Sequence, residues 1–239
     1  MKKSIFLFFA AILCASSVWA ANAELKNGQI LYCTVNNSNW KTWSIKFNWY
    51  WNEGDWCCND KGTNLATDIW YAKIPNDYTR AVQLIRCKGD FSEEWNWSKT
   101  VKASNRSNNY QNCVNITGSN WGDADVSWTT YAPPMSSVTL ADNGTTVNSG
   151  TGTQADPYII EIGTKIKVQA SGTKAVDDPD AVINYAFKYG ATSQDSETTT
   201  WEIDANSPST TYAIELEGYT KVNTTSSEKK TATKLYYQT

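Results

Sequence analysis

The chain of 239 residues carries no histidine but 12 tryptophans and 13 tyrosines, and its 21 Lys+Arg against 24 Asp+Glu leave a net charge of −3. The missing histidine excludes Ser-His-Asp and Cys-His nucleophile pairs, the HExxH zinc helix and histidine-ligated metal sites. So balanced a charge provides no basic footprint for nucleic acid or an anionic membrane, and an apolar fraction of 41% belongs to a globular chain.

The first segment, 1–23, reads as a secretory signal. Met1-Lys2-Lys3 supplies the positive region and Ile5 to Leu13 the apolar run. Ala21-Asn22-Ala23 supplies a small-x-small cleavage site, with Val18-Trp19-Ala20 as a second option. The apolar run is too short to span a bilayer. Cys14 lacks the small residue that a lipidation site needs before it, since Leu13 stands there. The expected protein is therefore exported, to the periplasm or beyond, without membrane insertion of the mature chain. Five cysteines follow the signal: Cys33, Cys57, Cys58, Cys87 and Cys113. Export permits disulfides, and an odd number leaves one thiol free or available for a bond between chains. No C-x-x-C pair is present, so neither a metal nor a cofactor is expected.

From 24 to 132 the pattern is of short alternating or β-branched runs separated by Asn, Gly, Asp and Ser, with no sustained helical period. The predicted strands are Gln29–Val35, Trp43–Trp51, Ile69–Ile74, Ala81–Cys87, Cys113–Ile116 and Ser127–Tyr131. The second of these is the richest in aromatics. Alternation along it puts Ile45, Phe47, Trp49 and Trp51 on one face, expected to be core, and Ser44, Lys46, Asn48 and Tyr50 on the other, expected to face water. A loop carrying Trp56 follows. Ten of the eleven tryptophans beyond the signal lie before residue 132, more than a core of about 100 residues needs. Flat rings beside Asn, Asp and Lys suit a sugar, whose C–H face lies on a ring while its hydroxyl rim takes hydrogen bonds.

Tyr131-Ala132-Pro133-Pro134 opens a connector, 133–136, because paired prolines cannot continue a strand. Beyond it, 137–239 is predicted to form Ser137–Leu140, Tyr158–Ile162, Lys165–Ala170, Val182–Tyr189, Thr198–Ile203, Thr211–Leu216 and Thr233–Tyr237. Seven strands in about 100 residues fit an immunoglobulin-like sandwich. Asp177-Asp178-Pro179-Asp180 reads as an acidic turn rather than a calcium site. The fold class expected is all-β, two β-sandwich modules in tandem.

The order of the first module's motifs resembles a known group. Trp43-x3-Phe47-x2-Tyr50-Trp51 and Gly54-Asp55-Trp56 are followed by Ile69-Trp70-Tyr71-Ala72-Lys73-Ile74-Pro75-x2-Tyr78. Then come Glu94-Trp95-Asn96-Trp97-Ser98, Ile116-Thr117-Gly118-x2-Trp121 and Ser127-Trp128-x2-Tyr131. Over about 28–132 this set is similar to starch-binding modules of carbohydrate-binding module family 26, in the form found in secreted proteins of Bacteroidetes-type bacteria. The resemblance implies a β-sandwich that holds α-glucans on aromatic rings without hydrolysing them. Carried over by position, Tyr50 and Trp56 become the stacking pair, Trp43, Trp49 and Trp51 further aromatic partners, and Asn48 a polar neighbour. Where the family often has a Pro-Gly step after the loop tryptophan, this chain has Cys57-Cys58.

Carboxylate pairs can hydrolyse glycosides without histidine. The candidates, Glu53/Asp55 and Glu93/Glu94, are near neighbours in loops rather than residues facing across a cleft. A non-catalytic, exported carbohydrate-binding protein is thus the expected function. A surface adhesion or structural protein without a working sugar site is the alternative, in which Cys57-Cys58 would link chains.

Overall fold

The computed structural model describes residues 24–40, 43–52, 55–76, 79–88, 91, 94–118 and 124–239, with 52, 55–56 and 94–97 described by backbone only. The expected signal and cleavage sites, Glu53, Gly54, Tyr78, Glu93 and Trp121 lie outside the described residues, as do the side chains of Asp55, Trp56, Glu94, Trp95 and Trp97. The chain divides after Tyr131 into two compact units.

The first unit contains β1 (Ile30–Val35), β2 (Ser44–Asn52), β3 (Asp55–Lys61), β4 (Thr63–Ala66), β5 (Ile69–Lys73), β6 (Ala81–Cys87), β7 (Glu94–Lys102), β8 (Cys113–Thr117) and β9 (Asp125–Thr129). One sheet runs β4-β5-β1-β8-β9 and the other β3-β2-β6-β7. Every pairing is antiparallel except β1 with β8, which are parallel. Leu31, Cys33 and Val35 of β1 share one buried cluster with Ile45, Phe47 and Trp49 of β2 and with Val82 and Leu84 of β6. The two sheets therefore pack face to face as a sandwich. The corner between β3 and β4 is Gly62, where a Cβ would collide with the Ile45 carbonyl and the Phe47 ring. Only a residue without a side chain lets β3 turn so close over β2.

The second unit contains β10 (Met135–Asp142), β11 (Tyr158–Ile159), β12 (Thr164–Lys174), β13 (Val182–Tyr189), β14 (Thr192–Ser196), β15 (Thr200–Ala205), β16 (Thr211–Val222), β17 (Thr225–Ser226), β18 (Lys230–Thr231) and β19 (Leu235–Gln238). A β10-β12-β15 sheet packs against a β11-β19-β16-β13-β14 sheet, with β17 and β18 paired to β16. Ile166, Val168 and Trp201 of the first sheet share a core with Phe187, Ile214 and Leu216 of the second. This unit too is a β-sandwich, so the protein is all-β.

Ala81–Cys87 and Val182–Tyr189 occur with the bounds expected from the sequence, whereas β3, β4, β7 and β14 were not expected at all. The reason is positional. β3 and β7 are the two edges of the four-stranded sheet, β4 is an edge of the five-stranded one, and β14 is an edge in the second unit. An edge strand needs one ladder partner and little apolar surface, so sequences such as Asp-Trp-Cys-Cys-Asn-Asp-Lys and Thr-Ser-Gln-Asp-Ser carry no apolar alternation.

Candidate functional site

The aromatic strand β2 lies between β3 and β6. Ile45, Phe47 and Trp49 are fully buried on its inner face. Trp49 stacks beside Phe47 with ring centroids 5.7 Å apart, and its Nε1–H donates to Asp60 Oδ2 at 2.7 Å. This corrects the placing of Trp49 among ligand-stacking residues: a ring with no exposed surface packs the core and cannot meet a sugar.

On the other face, Asn48 stands opposite Gln83 of β6 and Tyr50 opposite Ala81. The Tyr50 hydroxyl donates to Gln83 Oε1 at 2.9 Å, and Asn48 Nδ2 donates to the same oxygen at 3.3 Å. Gln83 Nε2 in turn donates to Ser98 Oγ of β7 at 2.7 Å. These contacts form a row of amides and hydroxyls across three strands, hinged on Gln83. Tyr50, Asn48, Gln83 and Ser98 are all half-buried, so the row is held firmly yet open to water. Asn48 Oδ1 lies buried beneath the row and accepts no hydrogen bond among the described residues.

Two bulges decide what flanks this row. Trp49 pairs with Cys58 and Tyr50 with Trp56, so Cys57 is an extra residue on β3. Tyr50 is then followed by Asn52 opposite Asp55, so Trp51 is an extra residue on β2. The first bulge brings residue 56 opposite Tyr50, and the segment expected as a loop is strand from Asp55 onward. The second removes Trp51 from the alternation: it is 48% exposed, not core as expected. Trp43 is committed elsewhere. The guanidinium of the fully buried Arg86 lies 4.4 Å from the centre of its ring, and Arg86 Nη1 donates to the Asn39 carbonyl at 2.8 Å. Its ring thereby covers a buried cation.

Of the six residues expected to bind sugar, the fold thus brings Asn48 and Tyr50 together and puts the backbone of Trp56 opposite them. It places Trp51 at a bulge, Trp43 over Arg86 and Trp49 in the core. Sequence reasoning missed Gln83 and Ser98. Gln83 had a readable signal, being a lone polar residue between Val82 and Leu84. Ser98 had none, because β7 was not recognised as a strand.

Cys57 and Cys58 are bonded to each other. The remaining described cysteines, Cys33, Cys87 and Cys113, form no disulfide among the described residues and are fully buried. Burial pushes the Cys33 thiol well above its ordinary pKa, reinforced by neighbouring Cys113, and raises Cys113 to about 12 against the lowering effect of Thr34. Cys57 and Cys58 thus close on each other rather than on a second chain, and among the described residues the other cysteine sulfurs lie below the surface.

In the second unit, a shallow depression of about 320 Å³ lies over β13, β14 and β16. Its charges answer one another: Lys234 bonds Glu215, and Lys229 lies 3.2 Å from Glu217 and 3.9 Å from Asp195. In the turn at 177–180, the Lys174 ammonium donates to the carbonyls of Asp178 and Ala181, and Asp178 Oδ1 accepts from the Asp180 amide at 3.0 Å. No helix of the described residues is long and apolar enough to cross a membrane.

No family model and no curated protein matches the sequence. Among solved structures, the FN1–FN3 domains of chicken CNTN1 are similar at 11% identity and a TM-score of 0.21. The alignment covers 89% of this chain, which spans 65% of that one.

Proposed function

We propose that the protein is an exported, non-catalytic glycan-binding protein and that its first unit holds an α-glucan on the outer face of the β3-β2-β6-β7 sheet. The observation that carries this reading is the row Asn48–Gln83–Ser98 beside the half-exposed Tyr50 ring. A pyranose needs a flat apolar surface for its C–H face and fixed donors and acceptors for its hydroxyls, and this row supplies both. The hydrogen bond from Tyr50 to Gln83 orients the ring and the amide together, so little side-chain freedom remains to be lost on binding. The ladder sets the backbone of Trp56 opposite Tyr50. A sheet-face site buries little of its ligand, so the affinity expected is modest.

Titration with maltooligosaccharides, followed by tryptophan fluorescence and by pull-down on insoluble starch, tests the reading. Wild type should bind, and Gln83→Leu, which keeps the bulk but removes the hub, should weaken binding about tenfold or more while the unit stays folded. An unresponsive wild type on starch and on a broader glycan panel would instead favour adhesion without a sugar site.

A further inference from the structure

We propose that the Cys57–Cys58 disulfide is a redox-active site, reduced in the folded protein by low-molecular-weight thiols, and that its reduction loosens the β2–β3 edge. Three observations converge on it. First, the pair is selectively reachable. Cys57 and Cys58 are half-buried on an edge strand, whereas Cys33, Cys87 and Cys113 are fully buried. Among the described cysteines, a thiol in solution meets the 57–58 disulfide and not the buried sulfurs of Cys33, Cys87 and Cys113. Second, the bond sits at the bulge. Cys57 is the unpaired residue between the Trp49–Cys58 and Tyr50–Trp56 pairs, and bonding adjacent cysteines closes a small ring that contains the 57–58 peptide link. That ring restrains the backbone at the first of the two bulges that interrupt the β2–β3 ladder. Third, the two sulfurs are inequivalent. Asn76 Nδ2 donates to Cys57 Sγ at 3.4 Å, and the Thr79 hydroxyl donates to Asn76 Oδ1 at 3.2 Å, which orients the amide with its NH₂ toward sulfur.

A hydrogen-bond donor at a sulfur favours its thiolate, so Cys57 is the better leaving group. The thiolate of a small thiol attacks Cys58 Sγ, a mixed disulfide forms there, and the bond to Cys57 breaks. The electron pair stays on Cys57 Sγ, beside Asn76, and is then protonated from water. A second thiol attacks the small-molecule sulfur of the mixed disulfide and releases Cys58. The protein disulfide gains two electrons and two protons, and two thiols become one small-molecule disulfide.

The test is differential alkylation of the full chain under native conditions, read peptide by peptide, with hydrogen exchange in parallel. Free thiols are blocked first. A graded dose of dithiothreitol is then followed by a second alkylating label. The expected result is two new labels on the 57–58 peptide at doses that leave Cys33, Cys87 and Cys113 unlabelled, together with loss of amide protection over 55–61 but not over 113–117. Asn76→Leu, which keeps the bulk without the donor, should slow reduction roughly fivefold. Labelling of the 57–58 peptide before any reductant, resistance to reduction until denaturant is added, or unchanged protection of 55–61 would each overturn the proposal.

Discussion

Trp49 and Tyr50 are chain neighbours on opposite faces of one strand, and replacing each by alanine separates folding from ligand binding. Trp49 is fully buried against Phe47 and bonded to Asp60. Emptying its place removes a large apolar side chain and leaves a cavity, costing about 3–5 kcal/mol. Stranding the half-buried Asp60 carboxylate adds about 1 kcal/mol, since water reaches it. For a unit of this size about 1 kcal/mol lowers Tm by roughly 4–8 °C, so Trp49→Ala should lower it by about 20 °C or more. Tyr50 is half-exposed, and its measurable loss is one hydroxyl bond to Gln83 and part of a ring contact, about 1–2 kcal/mol. Tyr50→Ala should therefore leave the unit folded, with Tm lowered by roughly 4–16 °C, while maltooligosaccharide binding is lost. Thermal unfolding by near-ultraviolet circular dichroism gives the first quantity and calorimetric titration the second. If Tyr50→Ala unfolds the unit as severely as Trp49→Ala, the face carrying Tyr50 is structural, and the binding argument fails with it.

Gly62→Ala should destabilise the first unit by about 1–3 kcal/mol in urea unfolding, because the added methyl meets the Ile45 carbonyl and the Phe47 ring. A neutral result would mean that the β3–β4 corner has room to shift. In the second unit, Tyr219 is buried and its hydroxyl donates to Asp195 Oδ1 at 2.6 Å. Burial first, and then Asp195, raises its pKa from 10.0 to about 12. The folded state thus holds the phenol proton more tightly than the unfolded chain does. The resulting stabilisation is complete below about pH 10 and is lost as pH rises toward about 12. Tyr219→Phe should make alkaline unfolding less steep over that interval, and an unchanged slope would show that this phenol is not what titrates.

Much of the architecture was legible because apolar alternation is a local property. β2 and β13 each carry apolar residues at every second position over seven residues, the pattern of a strand buried on one face, and β6 is rich enough in apolar residues to be read as a strand between its neighbours. The edges were not legible for the converse reason. β14 faces water along most of its length and β3 carries no apolar alternation, so their pairing is decided by the neighbour that offers a free ladder. The candidate site divides in the same way. Asn48 and Tyr50 could be assigned to a common outer face from spacing alone. Gln83 and Ser98 enter only through inter-strand register, which joins residues 35 and 15 positions apart.

The excess of tryptophan over histidine determined by itself that neither imidazole chemistry nor histidine metal ligation operates here, and that the first unit has more rings than its core can use. Which rings are spare was decided by tertiary structure. Alternation alone put Trp49 and Trp51 on one face. The extra residue on each strand, Cys57 and Trp51, breaks that equivalence, burying Trp49 and exposing Trp51. A bulge depends on how two strands count against each other, and neither strand's sequence contains that count.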